Sequence, residues 1–318
     1  MGKIAFLFPG QGSQYVGMGN SIYNDYKTAQ EIYDRSEQLL GIPIKKISFE
    51  GPEEELKESK NAQVAILIHS FALYMIVSQK LKPDIVAGHS LGEYTALLAA
   101  GAIDFPDALH LTRLRGELMS SAGEKSPGTM AAIIGIDSEK VKAICDQLSK
   151  EGVINPANYN SPMQTVITGE IPLVQKAMAI AKETGAKRVI QLNVSGAFHS
   201  KLMDDAFIPF KKVLTKQEFH NPSIPIVMNV TGEEVRDTES IKTAIERQIL
   251  NPVQWVKTLN TLRSANVDTF IEIGPGKVLS GLVKRTLKDV SIFNIDDSES
   301  LKMFNEKSEN GEFKQRGT

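Results

Sequence analysis

An α/β fold is what the sequence predicts: a largely parallel sheet carrying helices, with a smaller ferredoxin-like unit inserted in the chain. Three observations carry this. Short β-rich runs alternate with longer segments of helical period, the pattern of parallel strands joined by crossover helices. One of those strands, Asp84-Ile85-Val86-Ala87, runs through a glycine-flanked turn straight into a helix. Between Met130 and Val194 the rhythm changes to two βα pairs and a closing strand, which suggests a ferredoxin-like arrangement.

Taken in order, residues 4–8 are an apolar run that reads as a buried strand, and Pro9-Gly10-Gln11-Gly12-Ser13-Gln14 as a loop. Residues 21–40 read as one amphipathic helix stopped by Gly41-Ile42-Pro43. A second long helix over 62–81 ends at Lys82-Pro83, before the strand over 84–87 and a helix over 93–100. Ser126-Pro127-Gly128 then breaks the pattern. The inserted unit is expected to hold strands over 130–136, 165–168 and 188–194, with helices over 138–149 and 172–183. Afterwards come a helix from His199, a strand over 224–230, helices over 241–250 and 252–264, and a strand over 269–273. The expected organisation is an α/β-hydrolase-like core from residues 1–125 and 198–300, a ferredoxin-like subdomain over 126–197, and a polar tail over 301–318 that is expected to be disordered, frayed from Glu306 onward.

Composition narrows the function classes. A chain of 318 residues that is 42% hydrophobic and 23% charged is large enough to bury a core without disulfides or a structural metal. The formal net charge of -2 gives no reason to expect a nucleic acid partner. Cys145 is the one cysteine, which excludes an internal disulfide framework and fits a reducing compartment. The N-terminal apolar run ends at Pro9, too short for a signal peptide or a membrane span. A monomeric, cytoplasmic protein is expected.

The turn after the strand over 84–87 is Gly88-His89-Ser90-Leu91-Gly92. Gly-x-Ser-x-Gly alone arises by chance in roughly one chain in ten of this length. Between a strand and a helix it means more: the tight turn makes the serine project, and the helix start leaves backbone N–H groups free to hold an oxyanion. A serine nucleophile needs a base. His69 lies inside an apolar helix, His110 between two leucines, His220 in a Pro-flanked loop, and the His89 side chain should point away from its neighbour Ser90. His199 is the base by elimination. Asp204 and Asp205, one turn further on, are either its third partner or solvated helix residues; a main-chain carbonyl can orient a histidine equally well. The loop at residues 8–14 lacks Gly-Lys-Ser/Thr and has Tyr15 where a third glycine of a dinucleotide motif would stand, so it is not a phosphate cradle.

Several ordered motifs together resemble one family, the malonyl-CoA:acyl carrier protein transacylases and the related acyltransferases of polyketide synthases. They run from Phe8-Pro9-Gly10-Gln11-Gly12-Ser13-Gln14 through Gly88-His89-Ser90-Leu91-Gly92-Glu93-Tyr94, Arg115-Gly116, Asn158-Tyr159-Asn160-Ser161-Pro162 and Phe198-His199-Ser200 to Asn251-Pro252-Val253-Gln254-Trp255 and Glu272-Ile273-Gly274-Pro275-Gly276. The resemblance implies Ser90 as nucleophile, His199 as base, and the main-chain carbonyl of Gln248 in place of the usual acid. It implies an oxyanion hole from the Gln11 and Leu91 N–H groups, and Arg115 as the grip on the malonyl carboxylate, which a planar guanidinium suits. Phe198, Met119 and His89 fall in the substrate-binding set.

Malonyl-CoA and an acidic acyl carrier protein are the implied partners, with Lys187, Arg188, Lys201, Lys284 and Arg285 as docking candidates; no metal or redox cofactor is expected. The bulk of Phe198 should favour malonyl over methylmalonyl by ~1 to 3 kcal/mol. Three positions depart from the family pattern: Phe198 stands where many fatty acid members have Ser before the histidine, as in malonyl-selective polyketide acyltransferases and some fatty acid enzymes, Met163 where Gly usually follows Asn-Ser-Pro, and Val64 where Pro usually follows Gln63. For the last two, altered loop packing near the carrier cleft is the expected consequence. Fatty acid synthesis is the implied setting, with polyketide loading in trans and a serine esterase as alternatives.

Overall fold

The structure, a computed structural model, describes residues 2–309. Its larger sheet contains β1 (Lys3–Phe8), β2 (Ile85–Gly88), β7 (Ile226–Val227), β8 (Glu234–Val235), β9 (Val267–Ile273) and β10 (Ser291–Ile295) in the order β10-β9-β1-β2-β7-β8. All neighbours are parallel except the short β7–β8 hairpin at one edge. β1 is central and covered on both faces, which is why it is apolar from Ile4 to Phe8. Alternate residues separate two cores: Ile4, Phe6 and Phe8 face one, Ala5 and Leu7 the other. The helix Ser59–Val77 is long and apolar enough to cross a membrane, but most of it is buried, as befits a core helix. It packs against the helices Gly92–Ala99 and Phe105–Lys125.

The inserted unit has strands β3 (Thr129–Ile134), β4 (Ile154–Ser161), β5 (Gln164–Gly169) and β6 (Arg188–Gln191) in the antiparallel order β4-β5-β3-β6. Helices Ser138–Leu148 and Ile171–Glu183 share its apolar core with Ala131, Ile133 and Ile167. The chain order βαββαβ is ferredoxin-like. The sequence reading missed β8 and β10 in the larger sheet and, in this unit, β4. β4 carries Pro156 and four polar residues in Asn155, Asn158, Asn160 and Ser161, so neither alternation nor β-branching marks it, and its pairing with β5 shifts register twice. It also fastens the two units together: Val253 N–H donates to Ala157 O at 2.8 Å and Tyr159 N–H to Val253 O at 2.9 Å.

Other expectations need correction. Residues 21–40 form two helices, Asn20–Asp25 and Lys27–Leu40, separated by Tyr26 in an extended conformation. No α-helix starts at His199; a 3-10 turn over Lys201–Met203 precedes the helix Asp204–Leu214. The strand expected over 224–230 is only two residues long, and the one over 188–194 stops at Gln191. The tail expected to be disordered from residue 301 is helical over Ser298–Glu309, including the part expected to fray from Glu306. Leu301 and Phe304, three residues apart, seat one face of that helix in the main core, and Ser300 N–H donates to Asp297 Oδ1 at its start. Residues 310–318 lie outside the described residues.

Candidate active site

Strand β2 delivers the chain to Ser90, and sterics dictate the turn. A Cβ on Gly88 would sit 1.9 Å from Gly92 O, and one on Gly92 2.0 Å from Phe8 O. Ser90 itself has φ 49, a left-handed conformation that disfavours residues with side chains. Asn229 holds it there: Oδ1 accepts from Ser90 N–H at 2.6 Å while Nδ2 donates to Gly88 O at 2.6 Å. Leu91 precedes the helix Gly92–Ala99 with helical dihedrals, so its N–H is among those a helix leaves without an internal partner.

His199 reaches the serine from the other side, its Nε2 3.0 Å from Ser90 Oγ. Nδ1 faces two carbonyls, Gln248 O at 2.9 Å and Asn251 O at 3.0 Å. Carbonyls only accept, so Nδ1 carries the proton and Nε2 is left to accept from the hydroxyl. Asp204 and Asp205 are exposed on the following helix, which removes them as third partners. Burial, then the neighbouring Arg115 charge, push the His199 pKa down to about 3, against the two carbonyl bonds that raise it. The ring is therefore neutral, as a base must be.

Arg115 comes from the middle of the helix Phe105–Lys125 and is 1% exposed. Nη1 donates to Gln63 Oε1 at 2.7 Å; Nη2 donates to Ser90 Oγ at 3.2 Å and Gln248 Oε1 at 3.1 Å. Nε has no partner, and the ring of Tyr94 lies 5.7 Å from the guanidinium carbon. Its charge is thus surrounded by neutral groups, and it points at the serine oxygen. Gln63 in turn donates to Gln11 Oε1 and the Met119 sulfur, while Gln11 Nε2 donates to Ser59 Oγ at 2.9 Å.

These groups open on a cavity of about 450 Å³, within the usual range for a small-molecule site. Gln11, His89, Ser90, Arg115, Met119, Phe198 and His199 line it, together with Met130, Asn158 and the segment Leu192 to Val194 that was expected to be strand. His89, placed in the substrate-binding set, lines the cavity, its Nε2 2.8 Å from Asn160 Oδ1 and its ring edge-on to Trp255. Leu91 and Gln248 do not line it, but Leu91 follows Ser90 in the chain and Gln248 Nε2 donates to Ser90 O at 2.9 Å. Val64 is buried within the helix Ser59–Val77, and Met163 sits at the exposed β4–β5 turn. Lys187, Arg188, Lys201, Lys284 and Arg285 are all exposed. Among the described residues no group of three or more His, Cys, Asp or Glu is placed to hold a metal ion.

Sequence reasoning missed Glu93, Asn229, Gln63 and Asn251 as parts of the site. Glu93 is fully buried. Its Oε1 accepts from Asn229 N–H at 2.5 Å and Nδ2 at 2.8 Å, and its Oε2 from Gln248 Nε2 at 2.5 Å. Burial pushes its pKa up to about 7, opposed by those donors and by Arg115; three N–H donors on two oxygens are the surroundings of a carboxylate. The one available signal was a Glu in the otherwise uncharged helix Gly92–Ala99.

Comparison with known proteins gives three findings. Residues 5–314 match the acyl transferase domain. The chain is 43% identical over 305 residues to the malonyl CoA-acyl carrier protein transacylase of Bacillus subtilis, covering 95% of this chain and 96% of that one. Among solved structures, the acyl carrier protein S-malonyltransferase of Burkholderia pseudomallei superposes with a TM-score of 0.91 at 42% identity, over 96% of this chain and 99% of that one. A malonyl transacylase in complex with its type II polyketide acyl carrier protein superposes with a TM-score of 0.92 at 38% identity, again over 96% and 99%.

Proposed function

The chain belongs to the acyl transferase domain family, and on that premise we propose that it moves malonyl from malonyl-CoA to the phosphopantetheine thiol of an acyl carrier protein, as a step of fatty acid synthesis. The observation that carries the choice of cargo is the buried Arg115 guanidinium, 3.2 Å from the oxygen that would bear the acyl group and unmatched by any protein carboxylate in direct contact. A malonyl group esterified there brings its free carboxylate to that charge, in a site where bidentate pairing is strong. Acetyl has nothing to offer it.

The transfer runs in two balanced halves. His199 Nε2 takes the Ser90 proton as Oγ bonds to the thioester carbonyl carbon; the C–S bond breaks, and coenzyme A leaves with the proton from His199. The carrier thiol then gives its proton to His199, its sulfur attacks the ester carbonyl, the C–O bond breaks, and Ser90 recovers its proton. The Leu91 and Gln11 N–H groups hold the oxyanion in both halves. The Ser90 N–H is already given to Asn229, which leaves the Leu91 amide as the elbow's donor. Neither half calls for a metal or a redox group. Phe198 in the cavity wall supports malonyl over methylmalonyl.

A monomer in the cytoplasm, docking an acidic carrier through exposed basic residues such as Lys187, Arg188 and Lys201, completes the proposal. Its test is steady-state transfer with malonyl-CoA and an acyl carrier protein both varied. Parallel double-reciprocal lines are expected for a covalent relay; intersecting lines, or release of malonate to water faster than transfer to the thiol, would count against it.

A further inference from the structure

The transfer described above makes no use of Glu93, yet burying a carboxylate is costly and has to be offset by hydrogen bonds and nearby positive charge. What it touches is informative. Its Oε2 accepts from Gln248 Nε2, and the same nitrogen donates to Ser90 O at 2.9 Å. With two acceptors on that side, the amide has one satisfactory orientation, nitrogen toward Glu93 and Ser90. Its oxygen is thereby turned onto Arg115 Nη2 at 3.1 Å. A cation and an anion, both buried, are joined through a neutral amide.

We propose that Glu93, acting through the Gln248 side chain, is the positioning residue that aims the Arg115 guanidinium at the acyl group's carboxylate. A direct Glu–Arg pair would fill the guanidinium fork with a protein carboxylate and leave the incoming one to compete for it. The amide between them separates two tasks. Glu93 compensates the buried positive charge from a distance, and the guanidinium edge at Ser90 stays open to substrate. Gln248 then serves twice, its carbonyl orienting His199 and its side chain orienting Arg115.

This inference rests on the malonyl reading, and the experiment separates the two. Initial rates of Ser90 acylation by malonyl-CoA and acetyl-CoA are compared for wild type, Glu93→Gln and Gln248→Glu, each first checked for folding by thermal melting. In Glu93→Gln an amide N–H₂ meets the Gln248 donor, which turns the Gln248 amide over and sets its nitrogen against Arg115. The malonyl-over-acetyl ratio is expected to fall tenfold or more, with the loss in KM for malonyl-CoA. Gln248→Glu keeps the main-chain carbonyl on His199 but seats a carboxylate on Arg115, and the same fall is expected; it decides the matter if Glu93→Gln does not fold. In an Arg115→Ala background Glu93→Gln should change the ratio no further. A folded variant that lowers both rates together, with the ratio unchanged, overturns the proposal, since that is what a merely structural role would do. A wild type with no preference for malonyl-CoA overturns the malonyl reading instead.

Discussion

At the scale of single residues, Ser90 and His199 were legible because their chemistry is: a nucleophile on a strand-to-helix turn needs a base, and four of five histidines had plainer uses. Their orientation was not legible. Both have positive φ, and the groups that hold them, Asn229 for Ser90 and the Gln248 and Asn251 carbonyls for His199, come from 139, 49 and 52 residues away. No local pattern reports such partners. Nothing local separates Arg115 from its neighbour Arg113, so only the family resemblance marks it, and the structure supplies the physical reason in its burial. Arg115→Lys keeps the charge but loses the fork, so acylation of Ser90 by malonyl-CoA should slow about 30-fold, on the order of 2 kcal/mol; a loss under threefold in single-turnover kinetics would contradict that role. His199 offers a pH test. Its native pKa, depressed to about 3, means the folded protein declines a proton that the unfolded chain accepts near 6.5. Its contribution to stability is therefore complete above 6.5 and declines as the pH falls from there toward 3. Nitrogen NMR of the ring should show the neutral Nδ1–H tautomer unchanged from pH 8 to 5. Titration centred near 6.5 would show that burial does not govern the ring.

Elements were read well where one force dominated. The apolar run of β1, the helix Ser59–Val77 and the strand leading to Ser90 all follow from burial on two faces, and the sequence pattern is unambiguous there. Where tertiary contacts override composition, the reading failed. β4 is polar because several of its asparagines look into the site or across the seam: Asn158 lines the cavity, Asn160 meets His89, and Asn155 donates to His199 O at 3.0 Å. The helix Ser298–Glu309 looked like a solvated tail because two residues, Leu301 and Phe304, do most of its anchoring, with Phe304 edge-on to Phe293 at 6.1 Å. Phe304→Ala should lower unfolding free energy by about 3 kcal/mol, read from denaturant midpoints at constant m-value. A change below about 0.5 kcal/mol would mean that this helix adds nothing to the fold.

For the molecule as a whole, the two-unit plan was visible as a change of rhythm after Ser126-Pro127-Gly128, but the way the units meet was not. The larger unit supplies Ser90, Arg115 and the His199 carbonyl partners, while the inserted one places β4 and Met130 along the cavity. The site lies at this junction. Everything proposed for the molecule depends on a covalent stage at one oxygen. Intact mass spectrometry after brief mixing with malonyl-CoA measures it directly: one malonyl group per wild-type chain and none on Ser90→Ala is the predicted result. An unmodified wild type, or an adduct that persists on Ser90→Ala, would contradict it.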